Sequence, residues 1–134
     1  GARIVKASGF VDETESPEKL IDGRGETKWC DSQNAPQWID IELGKEENVT
    51  RWVLLNAGAE QNDYITRSCL LMGKKNLSDD WTILDQLEGN RKNKTNRTFT
   101  PQKLRYLRLI VTAPEQSEGA RGAARLYELE LYGK

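Results

Sequence analysis

The residues best suited to bind a hard cation lie in LIDGRGETKWC, residues 20 to 30. Ca2+ takes six to eight oxygen ligands, many of them backbone carbonyls held by a tight turn. Asp22 supplies a carboxylate, Gly23 permits the turn, and Thr27 offers a hydroxyl and a carbonyl. A second segment would normally add charge, and Glu128 in RLYELELYG is the candidate. Taken alone, the stretch fits two descriptions: a calcium loop, or a plain Asp-Gly turn with a solvated Asp22.

A second set of residues suits polar recognition. Three stretches have the composition of binding loops: CDSQNAPQ (30 to 37), NAGAEQNDYITR (56 to 67) and EGNRKNKTNR (88 to 97). A sugar needs planar polar groups for its hydroxyls and an aromatic face for the C–H side of its ring. A charge-assisted hydrogen bond contributes about 1.5–3 kcal/mol, and an aromatic contact about 0.5–1.5 kcal/mol beyond burial. The candidates are Asn56, Glu60 and Tyr64 in the second stretch, and Asn90, Arg91 and Asn96 in the third. Each has a structural alternative: Asn56 as a strand-end cap, Arg91 as a solvated charge, Tyr64 packed inward.

Composition removes several classes of chemistry. The chain has no histidine, so Ser-His-Asp and Cys-His catalysis and most zinc sites fall away as ordinary arrangements. Cys30 and Cys69 are too few for a zinc cluster and read as one disulfide or, preferably, two buried thiols. The acidic pairs Glu46-Glu47 and Asp79-Asp80 look like turn residues, whereas a glycosidase needs two carboxylates converging in a cleft. With 20 basic and 21 acidic residues interspersed, nucleic acid or an anionic membrane is not the expected main partner. No apolar run approaches the roughly 20 residues of a bilayer span. The opening GARIVKAS carries charges and does not read as a signal peptide, so the chain reads as a mature or excised piece of something larger. Sequons at Asn48, Asn76, Asn93 and Asn96 matter only in a host that glycosylates.

These residues must be positioned by strands, because the periodicity is two almost throughout. In QWIDIELG, Ile39, Ile41 and Leu43 alternate with Trp38, Asp40 and Glu42, as in a strand with one wet face. NVTRWVLLNAG places Trp52, Leu54 and Asn56 on one face. SCLLMGKK, DDWTILDQL, NRTFTP and KLRYLRLIVTAP continue the pattern. ARLYELELYG sets Leu126, Glu128, Glu130 and Tyr132 against Tyr127, Leu129 and Leu131. Turn-forming groups separate these runs. One short helical turn is expected at SPEKLID, with Ser16 as cap and Pro17 at the first position. The 134 residues therefore predict one all-β domain, an antiparallel β-sandwich of roughly eight strands. Trp38, Trp52 and Trp81 fall on strands and are expected to pack there.

SPEKLIDGRGETKW, QWIDIELG, VTRWVLLNAG, LRYLRLIV and RLYELELYG, in that order, resemble coagulation factor 5/8 C-type (discoidin-like) domains. The resemblance covers about Ile4 to Gly133 and is nearest to bacterial carbohydrate-binding modules of family 32. It implies a jelly-roll sandwich, usually appended to a secreted glycoside hydrolase. It also implies a structural calcium at the opening loop. Asp22 and Thr27 would bind it by side chain and carbonyl, joined by the carbonyls of Lys19 and Arg24, the Glu128 side chain and the Tyr127 carbonyl. Family members often have a small polar residue where Arg24 stands, which a carbonyl ligand tolerates. Trp29 is then a core residue beside the loop. Galactose-binding relatives often carry a His-Ala-Gly where this chain has Asn56-Ala57-Gly58, and use an Arg and an Asn from the loop after the Trp81 strand, for which Arg91, Asn90 and Asn96 are nearest.

The leading expectation is a non-catalytic, monomeric module that binds terminal sugars of glycans and tethers a parent glycoside hydrolase in the same polypeptide. Such a protein is secreted or cell-surface. Galactose or N-acetylgalactosamine ends come first, with N-acetylglucosamine- or mannose-type ends open. The alternatives are a membrane or protein adhesion domain, which would display apolar spikes flanked by Lys and Arg, and an accessory domain that only packs on its parent.

Overall fold

The computed structural model describes residues 1–117 and 121–133. Its strands are β1 (Arg3–Ala7), β2 (Trp29–Asp31), β3 (Gln37–Asn56), β4 (Ser68–Lys74), β5 (Thr82–Leu87), β6 (Lys94–Ala113) and β7 (Ala124–Gly133). All pairings are antiparallel, with order β2-β7-β3-β6-β4-β5 and β1 added to β3. Seven strands stand where roughly eight were expected. Each long strand, β3 and β6, merges two expected segments into a run of 20 residues.

Those two strands build both layers of the sandwich. Gln37–Glu42 of β3 pairs with Tyr106–Val111 of β6 and with β1. After a register slip between Glu42 and Glu47, the second half of β3 pairs with the first half of β6 and with β7. β4 and β5 extend the first layer beyond β6, and β2 extends the second beyond β7.

The inward residues of both halves share one core. Ile39, Ile41, Trp52, Leu54, Leu107 and Leu109 are buried together, with Trp29 and Leu20 closing the end near the short helical turn. Trp29 and Trp52 are the largest fully buried side chains. Trp38 and Trp81 differ: they are half-buried on the outer face of the first layer, because Trp38 alternates with the inward Ile39.

β7 departs from simple alternation. Leu126 and Leu129 are both buried, although three positions apart they would point oppositely in a regular strand. A register shift between Leu55 and Asn56 of the partner strand absorbs the extra residue, as a bulge does. The expected helical turn forms as a 3-10 turn, Pro17–Ile21, with Pro17 at its start; Ser16 precedes it but makes no side-chain cap bond. Both cysteines are buried and unpaired, matching the thiol alternative. Among the described residues no helix is long and apolar enough to cross a membrane.

Candidate functional site

Because β3 and β6 double back, both ends of each lie at the same end of the sandwich. Asn56 at the end of β3 meets Leu126 near the start of β7, and Gln37 at its start meets Val111 near the end of β6. The loops after β3, β5 and β6 therefore gather at one edge, where loop side chains are free to specialise.

Backbone hydrogen bonds weld these loops together. Asn56 N–H donates to the Asn93 carbonyl, Arg67 N–H to Ala113, and Asn90 N–H to Arg67, each at 2.8 Å. Gln116 ties the three loops: its N–H donates to Asp63 O at 2.9 Å, and its side-chain Nε2 to Ile65 O and Asn90 O at 2.8 Å. A Cβ at Gly58 would sit 2.7 Å from Asn93 Oδ1 and 2.9 Å from Ile65 Cγ1, so any larger residue would displace those side chains. That close approach lets Gly58 N–H donate to Asn93 Oδ1 at 2.6 Å.

Beside this weld lies a cavity of about 480 Å³ lined by Asn62, Ile65, Arg91, Gln116 and Ser117. Arg91 is exposed and brings five donors. Gln116 has spent its Nε2 on carbonyls, so its Oε1 is what it can offer a ligand. Asn62 and Ser117 can each donate and accept, and Ile65 supplies an apolar wall. This mixture suits a polyhydroxylated ring.

Of the six sequence-predicted sugar residues, only Arg91 lines the cavity. Asn56 is 1% exposed; its Oδ1 accepts from Thr66 N–H and its Nδ2 donates to Asn93 O, both at 3.1 Å. Asn90 is likewise buried, with Nδ2 donating to Thr66 O and Lys92 O and Oδ1 accepting from Lys92 N–H. Both carboxamides are buried and bonded to the backbone groups that shape the loops, as buried polar groups must be. Glu60 accepts from Lys28 Nζ at 2.6 Å and from the Tyr127 hydroxyl at 2.5 Å, on the β2–β7 flank. Burial tends to raise its pKa, but these bonds hold it below the ordinary carboxylate value. The Tyr64 ring packs under the Arg125 guanidinium, 3.6 Å from its centroid, and Arg125 in turn binds Glu115 at 2.5 Å. Asn96 sits within β6 opposite Val53 and accepts from Arg51.

Asn62, Gln116 and Ser117 were not expected. Gln116 lies outside the three loops whose composition suits binding, and its role depends on bridging loops distant in sequence. Asn56→Ala is accordingly expected to destabilise the domain by about 1–3 kcal/mol, since it strands the buried Thr66 N–H. Urea unfolding measures this; unchanged stability would show the loop weld to be dispensable.

The opening loop forms a second polar centre where the first loop meets β7. Asp22 Oδ2 accepts from Thr27 Oγ1 at 2.6 Å, and Oδ1 from Arg24 N–H at 2.9 Å. Thr27 Oγ1 also reaches the Arg24 carbonyl at 3.3 Å. Gly23, at φ +75°, is turned so that its N–H donates to Glu128 Oε2 at 3.0 Å. Lys19 lies in the preceding 3-10 turn, and Tyr127 precedes Glu128 on β7.

Two observations fit a cation here. Glu128 Oε1 is buried with no hydrogen-bond partner among the described residues. Its carboxyl is pushed up to about 7, by burial first and by the charge of Asp22, against the Gly23 bond. Burial acts to raise Asp22 as well, but the Thr27 and Arg24 bonds outweigh it and keep its pKa low. Among the described residues no three His, Cys, Asp or Glu side chains group as a metal cluster. Asp22 and Glu128 are two carboxylates, so a hydroxyl and carbonyls would have to complete an oxygen shell of the kind Ca2+ accepts.

The comparisons agree with this architecture. The family model for the F5/8 type C domain matches residues 4–128, and the chain belongs to that family. No curated protein matches the sequence. Among solved structures, the family 32 carbohydrate-binding module of Streptococcus pneumoniae EndoD is 26% identical with a TM-score of 0.85, over 100% of this chain and 97% of its own. Chitosan-binding module 2 of a Paenibacillus chitosanase/glucanase, in complex with chitotriose, is 22% identical with a TM-score of 0.78, covering 99% and 95%. A Clostridium perfringens module, CpGH89CBM32-5, in complex with GalNAc-β-1,3-galactose, is 20% identical with a TM-score of 0.76, covering 99% and 94%. The fold is thus that of carbohydrate-binding modules.

Proposed function

We propose that this domain is a non-catalytic module that binds the terminal sugar of a glycan in the cavity at its loop end. The observation that carries the reading is the polar cavity bounded by three loops that Gln116 locks together, with Arg91 at its wall. A preformed site spares a ligand the cost of ordering the loops. The carboxylates near it are engaged: Asp63 accepts from Ser117 N–H, and Glu115 pairs with Arg125. That supports recognition over hydrolysis, which needs two free carboxyl groups across a cleft.

The proposed ligand is a neutral terminal sugar, galactose or N-acetylgalactosamine first, with N-acetylglucosamine- or mannose-type ends as the alternatives. Affinity in the millimolar to micromolar range, about −4 to −8 kcal/mol, is expected for so open a site. Tethered to a parent glycoside hydrolase that is secreted or displayed on the cell surface, a monomeric module of this strength still concentrates the enzyme on glycan. The Asp22–Glu128 corner is proposed to hold a structural Ca2+ through Asp22, Thr27, Glu128 and the carbonyls of Lys19, Arg24 and Tyr127, tying the first loop to β7.

A glycan array followed by titration calorimetry tests the sugar site. Arg91→Ala is expected to weaken binding by about 1.5–3 kcal/mol, tenfold or more, with the melting temperature unchanged. Full affinity in that variant would move the site elsewhere, and an array with no bound glycan would overturn the reading.

A further inference from the structure

The outer face of the first layer carries a second cleft, remote from the loop-end cavity. Its volume is about 270 Å³, and its walls include Arg3, Lys74, Trp81, Tyr106 and Arg108. An outward sheet face facing only water is normally covered by unremarkable polar side chains. This one is built differently. The Arg108 guanidinium lies 4.6 Å from the Trp81 ring centroid and 5.6 Å from that of Trp38. Asp40 fixes it from one side, accepting Nε at 2.6 Å and Nη2 at 2.8 Å. Lys74 Nζ sits 4.5 Å from the Trp81 centroid, and among the described residues its hydrogen-bond partner is the Leu77 carbonyl. Cations held on aromatic faces in this way are partly desolvated and ordered before any ligand arrives.

The charges around the cleft do not balance. Arg108 is matched by Asp40, but Glu42 alone serves both Arg3, at 2.8 Å, and Arg105, at 3.1 Å. Lys74 makes no ion pair among the described residues, although Asp79 and Asp80 line an adjoining depression with it. Three cations, Arg3, Lys74 and Arg108, thus line the cleft with two carboxylates, Asp40 and Glu42, and Glu42 is shared with Arg105 beyond the lining, so positive charge is in excess here in a chain whose formal net charge is −1. The side chain of Arg3 is 65% exposed, so its remaining donors are reachable. An anion is the complementary occupant. The shape narrows the choice further: the volume lies just below the roughly 300–1,000 Å³ of drug-sized ligand pockets, so it admits about one ring. Trp81 and Tyr106 offer flat apolar surface beside the cations. The strands beneath are paired on both sides, β3 by β1 and β6, and β6 by β3 and β4. The floor of the cleft therefore offers a ligand side chains and no free backbone, whereas β1 at the rim is an edge strand, so peptide pairing there is one of the outcomes the test separates.

We propose that this cleft is a second glycan-binding site, taking a carboxylated or sulfated sugar residue with its anion on Lys74 and Arg3 and its ring beside Trp81. The proposal does not depend on the loop-end cavity being the neutral-sugar site, and the two fail separately. The test is calorimetry with trigalacturonic acid and with a chondroitin sulfate tetrasaccharide, at low and physiological salt. The wild-type protein is expected to bind at least one, more weakly at higher salt as charges are screened. The double variant Lys74→Gln/Arg3→Gln is expected to bind that probe about tenfold or more weakly, while Arg91→Ala binds it as wild type. Trp81→Ala, with folding checked by its melting curve, should lose binding similarly. Comparing the two probes decides between carboxylate and sulfate. Binding of neither probe, equal affinity in the double variant, or loss confined to Arg91→Ala would each overturn the proposal. So would binding of polyglutamate or phosphatidylserine vesicles in place of the saccharides, which would make the cleft a peptide or membrane contact.

Discussion

Trp52→Ala should lower the unfolding free energy by about 3–5 kcal/mol, the range for removing a buried aromatic side chain. Trp52 is 1% exposed in the second half of β3 and belongs to the cluster that joins both layers. Its indole N–H donates to Asp85 Oδ2 at 2.8 Å, and Asp85 also binds the Arg97 guanidinium at 2.7 and 3.0 Å. Truncation therefore opens a cavity and removes one bond from a network that crosses from β3 to β5 and β6. Trp52→Phe separates the two effects: it keeps most of the apolar burial and loses the Asp85 bond, and about 1–2 kcal/mol of the loss should remain. Chemical denaturation of the three proteins measures both. A loss below about 1 kcal/mol for Trp52→Ala would mean that the layers cohere without this residue.

Calcium should stabilise the wild-type protein by about 2.7 kcal/mol at a hundredfold excess over its dissociation constant. That corresponds to roughly 5–15 °C in melting temperature for a domain of this size. The pH dependence follows from Glu128, whose pKa is raised to about 7 in the metal-free fold. A raised acid favours the folded state while protonated. Its contribution is complete below the unfolded carboxyl value and is lost as pH rises through the folded one. Metal-free stability should therefore fall between about pH 5 and pH 8, and the calcium increment should grow over the same interval as binding displaces the proton. Glu128→Gln keeps an acceptor for Gly23 N–H without the charge. It should remove both the calcium increment and this pH slope, and at pH 8 the metal-free variant should melt no lower than metal-free wild type. Identical wild-type melting curves with calcium and with chelator would refute a structural metal at this corner.

The fold was legible because period-two alternation survives in nearly every strand. Ile39 and Ile41 against Trp38 and Asp40, and Leu107 and Leu109 against Tyr106 and Arg108, report which side is buried without any tertiary knowledge. It misled at Leu126, where a bulge reverses the alternation, and in the strand count, because β3 and β6 each run on as one strand past the register slip in their ladder. The sugar site was legible at the level of loops and much less so at the level of residues. Asn56 and Asn90 have the right chemistry for hydroxyls, but the backbone around them consumes it.

By itself, then, the sequence determined an all-β sandwich, the absence of histidine chemistry, free thiols as the better description of the cysteines, and the Asp22–Glu128 pairing as the place to seek a metal. Burial patterns and residue inventories are local properties, readable position by position. The tertiary structure decided which polar side chains are left for a ligand. A carboxamide does not reveal whether its partners will be backbone groups, and only the packing of distant loops settles that, as Gln116 shows by meeting both Ile65 and Asn90. The cationic cleft on the outer face is the same kind of property. Arg3, Lys74 and Arg108 look like ordinary solvated charges along the chain, and become a site only where three strands and the turn before β5 bring them around Trp81.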